Sequence, residues 1–568
     1  MRTSLTTLVL ILAAFPAAAE TPAPMREDAG AYLAARTAAA DSNYREATGW
    51  FTRALAVDAD NLQLLNGAMI SAMGTGDFDT AAAHAARMAE LGDRIQLGAL
   101  ARVAADARNG RFAEILAAQD KGASGGNLFD KLVGAWAEAG SGQMSEALEA
   151  FDTTAKMPGA ALFAQYHKAL ALASVGDFES ADEILARKEM APLHTIRRAV
   201  LAHAQILAQL ERGKDAMALL DTAFPQGQDP AADELRRRIE VGEPVTYDIA
   251  VNAQQGLAEA FYTMAVALNG EANGSFTLIH ARAAAWIRPD HIEAVLMSAS
   301  LLNAEGQHDL AVETYAQVPP TAPEFYLAEM GRAETLFSSG KTDAALEVMQ
   351  SLAKAHPRLL AVQTAYAEML RRQDRFEDAT HAYDAAIALL EKPGPRDWGL
   401  FFSRGICHER QKHWDQAEAD MRRALELSPD QPQVLNYLGY SYLELNRNLD
   451  EALSLIQRAV AAQPDSGYIV DSLAWAYFRL GHHDEALEPM ERASLLEPVD
   501  PVVTDHLGDV YWAVGRKLEA QFQWRRALSF GPGEKEAERI RRKLEIGLDR
   551  VLAEEGAKPL SDVKAAQN

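Results

Sequence analysis

The sequence predicts an all-α fold, a solenoid of stacked helix-turn-helix units in two halves, and three observations carry that expectation. Pro289, Pro323, Pro357, Pro429, Pro464, Pro498 and Pro532 stand at intervals of 34, 34, 72, 35, 34 and 34 residues, and a proline repeated at such a period ends the second helix of each unit. Ala452, Ile456 and Ala459 lie at i, i+4 and i+7, a stripe of the kind that packs one helix back on its partner. Gly76, Gly110, Gly142 and Gly176 recur at intervals of 34, 32 and 34, each placed for a turn between two helices.

Length and charge narrow the function classes. A chain of 568 residues with 48% hydrophobic content exceeds one ordinary domain, and a repeat array buries that content economically. Acidic residues number 80 against 55 basic, for a net charge of −25. That balance argues against nucleic-acid binding, which needs a basic stripe, and against a polybasic membrane-surface protein.

The opening MRTSLTTLVLILAAFPAAAE joins Arg2 to an apolar run from Leu8 to Phe15 and the small residues Ala17 to Ala19. It reads as a signal peptide, residues 1–19, cut after Ala19. The run is shorter than the roughly 20 residues a spanning helix needs, so no membrane span is expected after cleavage. Cys407 is the one cysteine, which excludes an intrachain disulfide and a lipid anchor at the cleavage point. Its place in an apolar helix pattern suits a small buried hydrophobe.

Residues 28–232 hold six degenerate units, with Ala47, Phe51, Ala81, Ala147, Phe151 and Ala181 on the second-helix stripe. The stretch 233–257 breaks the period with Gly242-Glu243-Pro244 and a β-branched run, and reads as a linker or kink between the halves. Eight units occupy 258–533. The segment 534–557 is a charged amphipathic helix suited to cover the last apolar face, and the tail 558–568 reads as disordered.

The later units, VLNYLGYS, VDSLAWAYFRLG and DHLGDVYWAVGR with FQWRRAL, resemble the tetratricopeptide repeat (TPR) superfamily. They are similar to long exported repeat proteins common in Gram-negative bacteria, among them the lipoprotein that partners a periplasmic carboxy-terminal processing protease. The resemblance implies a right-handed superhelix, a periplasmic location, and a non-enzymatic adaptor or scaffold role toward a protein or peptide such as a protease or envelope complex. The missing lipidation cysteine departs from that relative. A self-assembling structural organiser of the envelope, a homo-oligomer, is the alternative.

In that family, fixed positions of each first helix face the concave groove. Here they carry Phe402 and Ile406; Asn436, Tyr440 and Leu443; Asp471, Trp475, Phe478 and Arg479; and Asp505, Asp509 and Trp512. Aromatic rings beside an amide and carboxylates suit peptide binding, since the rings supply area and Asn436 can bond a backbone amide. Asp505 and Asp509, one turn apart, suit a basic segment of a partner or a hard cation such as calcium, and a solvated acidic face is the competing reading. Packing between repeats competes for Trp475 and Trp512, and it is the expected role of Tyr477 and Tyr511.

Four motifs read as scaffold instead of chemistry. Gly122 to Gly126 fits the Gly-x-Ser-x-Gly pattern, but no strand precedes it. Gly340-Lys341-Thr342 lacks the glycine a phosphate loop needs five residues earlier, where Thr335 stands. The helix at His408 has Lys412 where a zinc-binding motif requires a second histidine. His482, His483 and Asp484 read as solvated turn residues, too few for a metal. No catalytic residue, cofactor or metal is expected.

Overall fold

The computed structural model describes residues 28–224, 229–271, 274–557 and Leu560. The expected signal peptide and the expected tail 558–568, Leu560 excepted, lie outside the described residues. Secondary structure among the described residues is helical throughout. The chain divides into two compact units, Met1–Leu352 and Ala353–Asn568.

The first unit opens with six helix pairs, from Ala29–Ala40 with Tyr44–Leu55 to Arg197–Gln209 with Gly213–Ala223. The sequence starts and stops these helices locally. Asn43, Asn61, Asp77 and Asp177 each accept a hydrogen bond from a first-turn backbone N–H, satisfying donors that have no partner within the helix. Gly76, with φ of +88°, takes the left-handed turn that ends Leu62–Thr75, a conformation that penalises a side chain. The stripe residues Ala47, Phe51, Ala81, Ala147, Phe151 and Ala181 are buried.

The break expected at 233–257 is smaller than the sequence suggested, and it does not separate the two units. Pro230–Glu240 is helical, residues 241–252 are not, and Ala253–Leu268 is helical again. The non-helical stretch is pinned by side chains: Arg288 donates to the carbonyls of Asp248 and Ile249, Arg198 to that of Ile249, and Gln209 to that of Val245. It is therefore a fixed connection inside the first unit.

Two helices beyond this connection tie it to the degenerate repeats. The helix Ala253–Leu268 packs on Asn127–Gly140 and Ala161–Ser174, while Gly274–Ile287 packs on Leu62–Thr75 and Gln96–Arg108. All four of those partners are first helices of the degenerate repeats, so their inner faces are covered by the chain itself. Gly256 permits the contact, because a Cβ there would lie 2.2 Å from the Trp136 ring. One apolar core runs from Leu65 through Trp136, Leu257 and Phe261 to Ala294. Two further pairs, Ile292–Ala304 with His308–Tyr315 and Phe325–Ser338 with Thr342–Ala355, complete the unit.

The second unit stacks five pairs: Leu360–Arg372 with Phe376–Ala388, Trp398–Arg410 with Trp414–Leu427, Pro432–Glu444 with Leu449–Ala462, Gly467–Leu480 with His483–Leu496, and Pro501–Ala513 with Lys517–Ser529. The helices Glu534–Ile546 and Leu548–Glu554 close the end. Small residues sit where paired helices cross. A Cβ on Gly439 would lie 2.7 Å from Ile456, and one on Gly508 2.4 Å from Trp524. A second device recurs between neighbouring pairs: Arg458, Arg492 and Arg526 donate to the carbonyls of Pro429, Pro464 and Pro498 at 2.7, 2.7 and 2.5 Å. The prolines that end each second helix thus also supply the acceptor for the next.

Candidate protein-binding groove

The candidate residues sit on the first helices of four consecutive pairs in the second unit, and their surroundings differ sharply along the stack. Asp505 and Asp509, on Pro501–Ala513, are already occupied. Lys543 of the closing helix places Nζ 2.7 Å from the nearest oxygen of each, Arg539 lies 3.6 Å from Asp509, and Trp524 Nε1 donates to Asp509 at 2.9 Å. Asp509 and Lys543 have no exposed side-chain surface. Trp512 Nε1 donates to Asp549 at 2.9 Å, and its ring faces Trp524 at 5.2 Å. The acidic pair is therefore neither a solvated face nor open to a partner, because the chain's own closing helix fills it.

One repeat earlier, burial again dominates. His506, Trp475 and Phe478 form a stack, with ring centroids 4.0 Å and 4.8 Å apart. Asp471 accepts from His506 Nδ1 at 3.0 Å. Burial alone would lower the His506 pKa, but Asp471, Asp505 and Asp509 together hold it above the ordinary histidine value. Trp475 and Phe478 are buried and belong to the core with Tyr511, Ile540 and Leu548. His483 is buried against Phe478 at 5.3 Å, so it is not the solvated turn residue the sequence suggested. His482 does lie at the turn, 2.8 Å from Glu485.

The groove positions left open cluster on Pro432–Glu444 and Gly467–Leu480. Tyr440 is half-buried, and burial together with Glu444 and Asp471 pushes its pKa up. Arg479 is exposed, pairs with Glu444 at 3.2 Å and donates to the Leu443 carbonyl. Asn436 Oδ1 and Trp475 Nε1 are buried atoms without a hydrogen-bond partner, a free acceptor and a free donor on neighbouring first helices. Such atoms are costly to leave unmatched. Phe402 packs edge-on against Tyr437 at 5.6 Å, and Leu443 is core.

The first unit contains a charged cluster that the sequence did not disclose. Arg198 Nε lies 2.9 Å from both oxygens of the buried Glu259. Arg197 binds Asp229, Glu293 and Glu324 at 2.6 to 2.8 Å. Burial alone would raise the Glu259 pKa, but Arg198 and His291 overrule it and hold the carboxyl far below its usual range. These arginines are saturated by carboxylates, so the cluster joins helices and offers no free base. Ser124 donates to Asp130 and stands in a helix-initiating loop. Among the described residues, no three His, Cys, Asp or Glu side chains are grouped to hold a metal.

The tetratricopeptide repeat profile matches residues 330–397, 365–432, 402–467 and 436–498. A TPR repeat-containing protein of Pseudomonas aeruginosa is 29% identical over 141 residues, which is 24% of this chain. The match spans 23% of that relative's length. The Cut9–Hcn1 hetero-tetramer of APC/C overlaps with a TM-score of 0.38 at 14% identity, covering 92% of this chain and 96% of that one. A tetratricopeptide repeat protein from Parabacteroides merdae overlaps with a TM-score of 0.37 at 18% identity, over 45% of this chain and 98% of that one.

Proposed function

We propose, from the tetratricopeptide repeats that this chain carries across 330–498, that it is a non-enzymatic adaptor that holds a protein segment in the groove of its second unit. The observation that carries the reading is the accessible surface left on neighbouring first helices, the half-buried Tyr440 and the exposed Arg479. A bound segment would lay an apolar group on the Tyr440 ring and an acceptor on the Arg479 guanidinium. The site spans Phe402, Asn436, Tyr440 and Arg479, and Trp475 lies beneath it in the core. Asp505, Asp509 and Trp512 stand outside it, because the closing helices already engage them. The export segment read from the sequence supports a periplasmic setting, and the acidic balance favours a partner that is not nucleic acid.

The test is site-specific photo-crosslinking in cells. A benzoylphenylalanine replaces Tyr440 in the full chain, and for comparison Val175, which is exposed on the first unit. A protein adduct formed from Tyr440, absent from Val175 and lost when Asn436→Ala is added, supports the groove. Identical adducts from both positions, or none from Tyr440, overturn it. An adduct of twice the chain's own mass would favour the self-assembling organiser. Osmotic-shock fractionation tests the location.

A further inference from the structure

The first repeat is held on two sides. Its helix Tyr44–Leu55 packs on Leu62–Thr75, and it also reaches the pair Ile292–Ala304 with His308–Tyr315 across 261 residues of sequence, where Tyr44 OH donates to Glu305 at 2.7 Å. Arg45 pairs with Glu313 at 2.5 Å, and Gln307 donates to the Asp41 carbonyl at 3.2 Å. A small apolar group, Tyr44 with Leu278, Leu302 and Ala311, lies under these bonds.

Arg282, on Gly274–Ile287, is buried beneath the same contact at 6% exposure. Its Nε donates to the Gly74 carbonyl at 3.2 Å, while Nη2 is buried without any partner. Tyr44 covers that carbonyl's residue so closely that a Cβ on Gly74 would lie 2.4 Å from the ring. Burial pulls the Arg282 pKa down to about 10, so the guanidinium stays charged at neutral pH. The buried arginines Arg198 and Arg236 in the same unit are paired with carboxylates, whereas Arg282 forms no ion pair among the described residues. The carbonyl end of Leu62–Thr75 is its compensation. A buried cation without a counter-ion is among the costliest groups a fold can hold.

The first repeat has little with which to offset that cost. Its core is Ala31, Ala35, Ala38, Ala47, Ala54 and Ala68 around Phe51 and Leu64, and alanine buries little apolar area. The pair Arg45–Glu313 is 56% exposed on both sides, where ion pairs contribute little.

We propose that the first repeat, residues 28–57, is a gate. It swings from Gly274–Ile287 and Ile292–Ala304 as one piece, and each opening hydrates Arg282 and uncovers Leu278 and Leu302. Local opening of this kind is read by hydrogen exchange.

The experiment is hydrogen-exchange mass spectrometry on the full chain with three proteins: wild type, Arg282→Met and the surface double variant Arg45→Ala, Glu313→Ala. Wild type should exchange faster over 29–55 than over the core helix 127–140. Arg282→Met should slow exchange over 29–55 by about tenfold, since an apolar side chain of similar length removes the buried charge, with 127–140 unchanged. The double variant, whose side chains are exposed and tolerant, should quicken 29–55 and 292–315 together. Equal exchange over 29–55 and 127–140 in wild type, no slowing in Arg282→Met, or quickening confined to one of the two segments overturns the gate. If Arg282→Met fails to fold, the wild-type and double-variant comparisons decide the question alone.

Discussion

Lys543 and Asp509, 34 residues apart in sequence and both without exposed side-chain surface, form an ion pair with Nζ 2.7 Å from each carboxylate oxygen. The closing helix is thus bound to the last repeat by a buried charge as well as by Ile540 and Leu548. Removing one partner strands the other in the interior. Lys543→Met should cost about 3–5 kcal/mol, seen as a lowered thermal midpoint by circular dichroism. Adding Asp509→Asn should recover part of the loss, because it removes the stranded charge.

His506 makes the second unit sensitive to pH. Its folded pKa is raised above 6.5 by Asp471, Asp505 and Asp509, against burial. A raised folded value gives stability that is fully present below the unfolded pKa and is lost as pH rises through the folded one. The urea midpoint should therefore fall as pH climbs from the ordinary histidine value upward. His506→Gln should flatten that slope, and an unchanged slope would remove His506 as its cause.

The arginine clasps between repeats should act additively. Arg458, Arg492 and Arg526 each donate to a proline carbonyl one repeat back, and a net hydrogen bond contributes about 0.5–1.5 kcal/mol. Their contacts share no partner, so they are independent. The triple alanine variant should lose about the sum of the three single losses in urea titrations.

Cys407 reports on unfolding. Burial pushes its thiol up to about 12, and the residue has no exposed surface. The thiolate is the reactive form, so Ellman's reagent should label Cys407 at the rate at which its repeat opens. Fast labelling of native protein would contradict this placement.

Much of the scaffold was legible because helix pairing is a local matter. The turn glycines and the proline period each act within a few residues, and the fold is the all-helical stack they imply. The groove was less legible, because occupancy depends on what arrives from elsewhere in the chain. Asp505 and Asp509 at i and i+4 face Arg539 and Lys543, also at i and i+4, and matching those two patterns would have disclosed the pair. Trp475 and Phe478 gave no such signal, since burial by His506 is a property of the stack. The cluster of Arg197, Arg198 and Glu259 was invisible for a related reason: charged residues on a helix read as a solvated face until a distant helix covers them. The linker was overestimated because Gly242 and Pro244 do stop a helix, but the side chains that pin the stretch after it come from Arg198, Gln209 and Arg288.

The helices Ala253–Leu268 and Gly274–Ile287 make the amino-terminal side of the protein indivisible. In an open stack, each repeat touches its neighbours alone, and units can be deleted, duplicated or cut away with graded effect. Here a fragment ending at Gly242 would leave Trp136, Phe129 and Leu100 without their cover, a recipe for an insoluble product. Excising any one of the pairs between Leu62 and Ala223 would slide the rest out of step with an internal plug of fixed length. The smallest portable piece on that side runs to the end of the helix Thr342–Ala355, and an evolving lineage could lengthen this protein more readily at its carboxy-terminal stack than there.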